Sequence, residues 1–171
     1  MSPKTIVTLS AAAGLIVAAA TSNAMAQTPK RIGSFNDWGA YSYQSSNGTV
    51  CYALSVPTVK EPGNVDHGDN FFLVTQRTSQ NVTYEPQFMA GYTLKENSKV
   101  QVNVDGNAFT LFTNANSAWV ENAAQEPALV NAMKAGSKMV VKATSRRGTP
   151  TSYEYSLKGI SAALKAISAC K

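Results

Sequence analysis

The chain has few of the side chains on which most enzymes and metal sites depend. Its 171 residues include one histidine and two cysteines, and the cysteines are far apart in the sequence. One imidazole with two distant thiols cannot complete a tetrahedral zinc site. No GxSxG motif is present to raise a nucleophilic serine on a strained turn. The sequence therefore predicts no metal, no cofactor and no catalytic residues.

Charge is also sparse. Charged residues make up 15% of the chain, and the formal net charge is +5 without a dense run of lysine or arginine. A nucleic-acid-binding surface would show clustered basic residues interleaved with stacking aromatics. The composition argues against nucleic acid as a partner, and a mildly basic chain is better suited to an acidic cell-surface polymer.

The only long apolar run lies at the amino terminus. Lys4 precedes an apolar stretch at residues 6–20, and Ala24 and Ala26 mark a small-residue site. This is the pattern of a secretory signal peptide at residues 1–26, with cleavage expected before Gln27. The alternative is a membrane anchor, but polar residues interrupt the stretch and it is shorter than the roughly 20 residues that span a bilayer.

Export sets the expected location of the protein and the state of its cysteines. We expect residues 27–171 to form a single domain that is periplasmic, outer-membrane-associated or secreted, with no integral membrane segment. In an oxidising compartment an even cysteine count predicts a disulfide, here between Cys51 and Cys170.

Most of the remaining chain has the pattern of short strands separated by turns. Aromatic residues from Trp38 onward and an apolar run at 49–56 flank an Asn-Gly pair, which predicts a hairpin. KVQVNVDGNAFTLF alternates apolar and polar residues around an Asp-Gly pair and predicts a second hairpin. Further strands are expected at 71–75, 87–94, 138–144 and 151–155, an exposed loop at 57–70, and Trp38 and Trp119 in the core.

Two segments have helical periodicity instead. Asn122 is placed to cap a short helix that Gly136 ends. SLKGISAALKAISACK predicts a terminal helix over 157–167 with Ser156 as its cap. Gly159 lies inside this helix, where glycine costs about 1 kcal/mol relative to alanine, so the helix is expected to depend on packing. Many short strands with two short helices predict a mainly β fold of the β-sandwich type.

Arg146 and Arg147 are the strongest candidate binding residues. They are expected to be exposed on the turn between the last two strands, because Gly148 and Pro150 interrupt the extended pattern there. Guanidinium groups bind carboxylate, phosphate and sulfate groups bidentately. The alternative is a solvated hairpin tip without a ligand.

His67 lies between two aspartates in a loop that is rich in glycine and proline. Asp66 and Asp69 suggest a His-Asp pair, and together with Asn70 they suggest a calcium site. Short-range acidic residues in such loops are usually solvated turn formers, and the ligand periodicity of an EF-hand is missing. We therefore expect this segment to be a solvated turn.

Several segments together resemble a known family. WGAYSY, CYALS and VDGNAFTLF are followed by AWVENAAQEPALVNAMKAGSKMVV and then by TSRRGTPTSYEYSLKGISAALKAISACK. This series, over about residues 35–171, resembles the invasion-associated locus B family of alphaproteobacterial envelope proteins. The resemblance implies an immunoglobulin-like β-sandwich in a virulence-associated protein that is periplasmic or associated with the outer membrane. It does not imply an enzyme, and we expect none. Together with the two helical segments, the expected fold is an immunoglobulin-like β-sandwich with one short inserted helix and a C-terminal helix.

The leading functional hypothesis is an exported envelope protein that acts by binding, either to host cells or within the envelope. Its expected partner is a protein or an acidic envelope or host glycan, and the chain is expected to be a monomer. One alternative is a periplasmic structural or envelope-homeostasis role without host contact. A weaker alternative is a hydrolase of an envelope polymer that uses Glu121 and Glu126 as its carboxylate pair.

Overall fold

The part of the chain that the structure describes contains eleven strands, two α-helices and two short 3₁₀ helices, Thr78–Gln80 and Ala123–Gln125. This computed structural model describes residues 28–170, so the expected signal peptide and its cleavage site lie outside the described residues. The strands are β1 (Lys30–Phe35), β2 (Trp38–Ser45), β3 (Gly48–Ser55), β4 (Val59–Glu61), β5 (Phe71–Arg77), β6 (Val82–Met89), β7 (Lys99–Val104), β8 (Asn107–Asn114), β9 (Ser117–Val120), β10 (Lys138–Thr144) and β11 (Pro150–Ser156). The helices are α1 (Glu126–Ala135) and α2 (Ile160–Ser168).

The strands form one antiparallel sheet in the order β1-β2-β3-β5-β6-β9-β8-β7-β10-β11-β4. Its two halves meet across the core. Phe72 of β5 packs against Tyr155 of β11 with ring centroids 5.9 Å apart, and Phe88 of β6 lies 5.5 Å from Tyr153. All four rings are buried. The mainly β prediction is confirmed, and these facing contacts are consistent with the predicted sandwich.

Both predicted hairpins are present. β2 pairs with β3 around the first turn, and β7 pairs with β8 around Asp105-Gly106. Asp105 and Gly106 both have positive φ, and a turn of this kind matches the right-handed twist of the flanking strands. Val100, Val102 and Val104 are buried because they share one face of β7.

Three strands, β1, β4 and β9, lie outside the segments predicted as strands. β4 falls in the predicted exposed loop, where it pairs with β11 through Glu61 opposite Ser152 and Val59 opposite Glu154. β6 begins at Val82 rather than at residue 87, and it ends at Met89. These differences reflect pairing with distant strands, which a local pattern does not record.

The inserted helix follows its prediction. The side chain of Asn122 accepts a hydrogen bond from the backbone N–H of Ala124 at 3.1 Å and so caps the short 3₁₀ helix Ala123–Gln125 that leads into α1. Gln125 is the N-cap of α1 itself, without a side-chain cap bond, and Gly136 is its C-cap. Leu129, Val130 and Met133 are buried on one side of the helix. Local signals were sufficient to place this helical segment, because Asn122 and Gly136 act on the residues next to them.

The terminal helix begins later than predicted. α2 starts at Ile160, and Ser156 is the last residue of β11. Gly159 is the N-cap residue at φ +94, and a Cβ there would collide with the carbonyl oxygen of Phe35. The predicted interior-helix cost of Gly159 is therefore wrong, because this position requires glycine. Ile160, Ala163, Leu164 and Ile167 form the buried face of α2.

The cysteines connect this helix to the sheet. Cys51 lies in β3 and Cys170 follows α2, and their sulfur atoms are within bonding distance with the Cα atoms 6.4 Å apart. That Cα separation is within the range of protein disulfides. Cys51 is buried on the core side of β3 beneath α2.

Candidate functional site

A cavity of about 480 Å³ opens beside the turn between β10 and β11. We call it the tip pocket. Three segments line it, from the β4–β5 loop, the β6–β7 loop and the β10–β11 hairpin. Its lining residues are Val65, Asp66, His67, Gly68, Gly91, Tyr92, Thr93, Ser145, Arg146, Arg147, Thr149 and Thr151.

Arg146 and Arg147 lie on the hairpin turn, and both are exposed. The turn is held by a hydrogen bond from the Ser145 N–H to the Thr149 carbonyl at 2.9 Å. The Arg146 N–H donates to the carbonyl of Thr93 at 2.9 Å, which attaches the turn to the β6–β7 loop. Neither guanidinium forms an ion pair within residues 28–170.

The β4–β5 loop is packed tightly against the β6–β7 loop below the turn. A Cβ on Gly91 would come within 2.5 Å of the carbonyl oxygen of His67, so only glycine permits this approach. Asn70 is 1% exposed and its amide donates to the His67 carbonyl at 2.9 Å. Its side-chain oxygen accepts from the N–H of Gly91 at 3.3 Å. The loop is therefore fixed by its own buried amide.

His67 begins a chain of hydrogen bonds along the floor of the pocket. Its Nε2 lies 3.0 Å from the Pro62 carbonyl oxygen and its Nδ1 lies 2.9 Å from the Tyr153 hydroxyl. The Tyr153 hydroxyl is 3.1 Å from that of Tyr92, which is 2.6 Å from the Thr151 hydroxyl. We call His67, Tyr153, Tyr92 and Thr151 the floor chain.

Burial keeps the floor chain uncharged at its centre. Desolvation raises the pKa of the Tyr153 hydroxyl well above its usual value, and the hydrogen bond with Tyr92 raises it further. Tyr153 therefore stays protonated across the physiological pH range and can act as a hydrogen-bond donor.

The expectation that His67 lies in a solvated turn is wrong. Its side chain is buried, with 6% of the residue surface exposed, and both ring nitrogens have partners within the protein. Asp66 and Asp69 are exposed, as expected for turn formers. Asp66 lines the pocket, where its carboxylate accepts from the N–H of Gly68 at 2.9 Å.

Tyr92 and Thr151 were not identified as site residues in the sequence. The two lie in different elements and are 59 positions apart. Their only signal was the presence of hydroxyl side chains next to turns, which is too common to identify a site. Thr151 is brought to the floor by the pairing of β10 with β11.

Glu121 and Glu126, the weaker candidate carboxylate pair, have different charged neighbours. Glu121 forms an ion pair with Lys99. Desolvation raises the pKa of Glu126, and the nearby charge of Glu85 raises it further. In the described part of the chain, no group of three His, Cys, Asp or Glu side chains could hold a metal ion.

The two tryptophans have different environments. Trp38 is 1% exposed in the core, as predicted, and its indole N–H donates to the Ser156 carbonyl at 3.0 Å. Trp119 is only partly buried and stacks on Phe112 with ring centroids 5.9 Å apart. Phe112 is 41% exposed, so this pair lies on the outer face of the sheet and the core prediction for Trp119 is wrong.

The protein is therefore mainly β, and its tip pocket combines two exposed arginines with the hydrogen-bonded side chains of the floor chain. A model of the family described as invasion associated locus B (IalB) protein matches residues 38–168. The chain therefore belongs to the IalB family, as the sequence resemblance indicated. No curated protein and no solved structure gives a significant match.

Family membership supports an envelope-associated protein. Among residues 28–170 no helix is both long enough and apolar enough to cross a membrane.

Proposed function

We propose that this envelope protein of the IalB family acts by binding an acidic glycan in the tip pocket, without catalysis. The observation that carries the proposal is the pair of exposed arginines beside the cavity, with no ion pair to either one in the described residues. An anionic group on the glycan would supply the missing counter-charge, and guanidinium groups bind such anions through two parallel hydrogen bonds.

A glycan fits this pocket better than a protein surface does. The cavity holds about 480 Å³, which is within the size range of small-ligand sites. Thr93, Ser145 and Thr149 line it beside the arginines, and residues with hydroxyl groups can match the donors and acceptors of a sugar ring. Asp66 is the one carboxylate in the lining, so the two arginines leave the pocket net positive.

Calorimetry with a heparin-derived hexasaccharide tests this proposal. We expect binding that weakens as salt is raised, because screening shortens the range of the arginine charges. The double change Arg146→Ala and Arg147→Ala should lower the affinity by about tenfold or more.

A matched control removes the same charge elsewhere. Lys30 and Arg31 are exposed on β1 and do not line the tip pocket. The change Lys30→Ala with Arg31→Ala should leave the affinity within about twofold of the original value. Equal losses in both double variants would indicate attraction to net charge alone and would contradict a site. Failure to bind at low salt would favour the structural alternative.

The proposal places the protein outside the cytoplasm. Mass mapping of the protein from envelope fractions should find Gln27 as the first residue, because the site after Ala26 follows the apolar run. Recovery of the chain with Met1 still present in the membrane fraction would contradict export of a cleaved protein. Protease treatment of intact cells then separates a surface location, where the chain is cut, from a periplasmic one, where it is protected.

A further inference from the structure

We propose that the ligand of the tip pocket is an extended acidic glycan, whose chain continues from Arg146 and Arg147 into a second cavity on the outer face of the sheet. This cavity has a volume of about 750 Å³ and is lined by residues of β4, β7, β10 and β11. We call it the lysine groove, after Lys99 and Lys142 in its wall. The extension rests on the proposed function for the chemistry of the ligand and adds a second subsite to it.

The alternation of β10 places Lys142 on the outer face of the sheet. Val141 and Ala143 on either side of it are buried, whereas Lys142 is exposed. Gln101 of β7 lies directly opposite Lys142, and Lys99 is two positions from Gln101 on the same face. Diagonal neighbours in an antiparallel pair are about 7–8 Å apart, within reach of long side chains. The two ammonium groups can therefore bind one anionic group together.

Lys142 has no counter-charge among the residues that the structure describes. It forms no ion pair there, whereas Lys99 is paired with Glu121. Both side chains of that pair are about half exposed, and exposed ion pairs contribute little to stability, so a ligand can replace Glu121 at low cost. Glu61 is the one carboxylate in the wall of the groove. The two lysines therefore leave the groove net positive, as the two arginines leave the tip pocket.

The groove and its border also suit sugar rings. The side-chain oxygen of Gln101 accepts from the Thr110 hydroxyl at 3.3 Å, so the amide nitrogen is the end left to donate to a ligand. Phe112 lies directly opposite Lys99 on β8, is 41% exposed and stacks on Trp119. An exposed aromatic ring beside a cation offers a surface for the apolar face of a sugar whose acidic group binds the cation.

The lysine groove and the tip pocket meet along the β10–β11 hairpin. Thr144 and Pro150, which pair with each other, line the groove. The next residue toward the turn on each side, Ser145 and Thr149, lines the tip pocket. Thr151 lines both cavities. A ligand therefore passes from one cavity to the other within one residue step of the hairpin.

The spacing of the two cationic sites requires a ligand with repeated acidic groups. Lys142 and Arg146 are four positions apart at the end of β10, where an extended chain rises about 3.4 Å per residue, so their Cα atoms are roughly 13 Å apart. One carboxylate or sulfate group cannot contact both. The ligand must therefore be a chain that carries acidic groups on different sugar rings.

Calorimetry with the heparin-derived hexasaccharide tests the second subsite. We expect one hexasaccharide to bind per protein, because a single chain occupies both cavities. Lys142→Gln should lower its affinity by about fivefold without changing this stoichiometry. In amide NMR spectra, the hexasaccharide should shift the signals of Lys142 and Gln101 as well as those of Arg146 and Arg147.

Lys165→Gln is the matched control. Lys165 is exposed on α2 and lines neither cavity, so its removal subtracts the same charge from a distant surface. The affinity should stay within about twofold of the original value. An equal loss in Lys142→Gln and Lys165→Gln would overturn the second subsite, because it would show attraction to net charge alone.

The remaining outcomes separate the second subsite from the proposed function. Binding that depends on Arg146 and Arg147 but is unchanged by Lys142→Gln, with amide shifts confined to the turn, would overturn the extension and leave the tip pocket intact. Two hexasaccharides per protein would show two separate sites and would also overturn the extension. Absence of binding at low salt would overturn the proposed function together with the extension.

Discussion

The carbonyl oxygen of Phe35 occupies the place where a side chain on Gly159 would begin. Gly159 is the N-cap of α2 and has φ +94, a conformation that L residues with a Cβ rarely adopt. The end of β1 therefore meets the start of α2 by direct backbone contact. This contact fixes where the terminal helix begins.

The change Gly159→Ala should destabilise the protein, although helix propensity alone predicts the opposite. The positive φ costs at least about 1 kcal/mol with a Cβ, and the collision with Phe35 adds to that cost. Urea unfolding followed by tryptophan fluorescence measures the difference. Gly63→Ala is the control, because a Cβ there meets nothing within 4 Å, and it should change stability by less than about 0.5 kcal/mol.

Tyr153 and Tyr155 of β11 should respond in opposite ways to removal of the hydroxyl group. The Tyr155 hydroxyl is buried without a hydrogen-bond partner in the described residues, whereas that of Tyr153 contacts His67 and Tyr92. Tyr155→Phe should be neutral or stabilise the protein by about 1 kcal/mol, because an unpaired buried hydroxyl is costly. Tyr153→Phe should destabilise it by about 1–3 kcal/mol.

Urea unfolding of both variants at pH 7 gives this comparison directly, with each protein serving as the other's matched control. Both changes remove one oxygen from a buried ring on the same strand. Equal losses of stability in the two variants would contradict the assignment of Tyr155 as unpaired.

The sequence predicted the elements whose ends are fixed by neighbouring residues. The Asp105-Gly106 turn and the Asn122 and Gly136 caps act within a few positions, so a local pattern is sufficient to place them. The terminal helix was displaced because its start depends on Phe35, more than a hundred positions away. Local propensity contains no record of that contact.

The same difference between local signals and distant contacts applies to the candidate site. Arg146 and Arg147 lie on a turn that Gly148 and Pro150 indicate by themselves. His67 was misplaced because its burial depends on Tyr153, which is 86 positions away. A glycine-rich loop with acidic residues is equally compatible with a solvated turn and with a loop folded over a buried side chain.

The hydrogen bond between Asp105, in the β7–β8 turn, and Ser137, in the α1–β10 loop, should be sensitive to acid. The hydrogen bond from the Ser137 backbone N–H to its carboxylate holds the pKa of Asp105 below the usual value. The folded pKa is lower than the unfolded one, so the stabilisation is present above about pH 3.9 and is lost as the pH falls through the folded pKa. Asp105→Asn removes the charge but keeps a side chain that tolerates the positive φ of this turn, so it should lower the urea midpoint at pH 7 and lose that effect in strong acid.

Glu96→Gln is the control for Asp105→Asn, because Glu96 is an exposed carboxylate in the β6–β7 loop. Its removal should leave the urea midpoint nearly unchanged at both pH values. A difference for Asp105→Asn that persists at about pH 2 would show that the variant does not act through the ionised carboxylate.

The last prediction concerns Cys51 and Cys170, which we expect to form a disulfide in the exported protein. Replacing both with serine should lower stability by about 2–5 kcal/mol. Hydrogen exchange should rise first in α2, because the bond attaches its carboxyl end to β3 while Ile160, Ala163 and Leu164 hold the rest of the helix. Reduction of the original protein should reproduce the effect, and the serine variant should not respond to reductant. Peptide mapping that finds two free thiols or a bond between two chains would contradict the pairing.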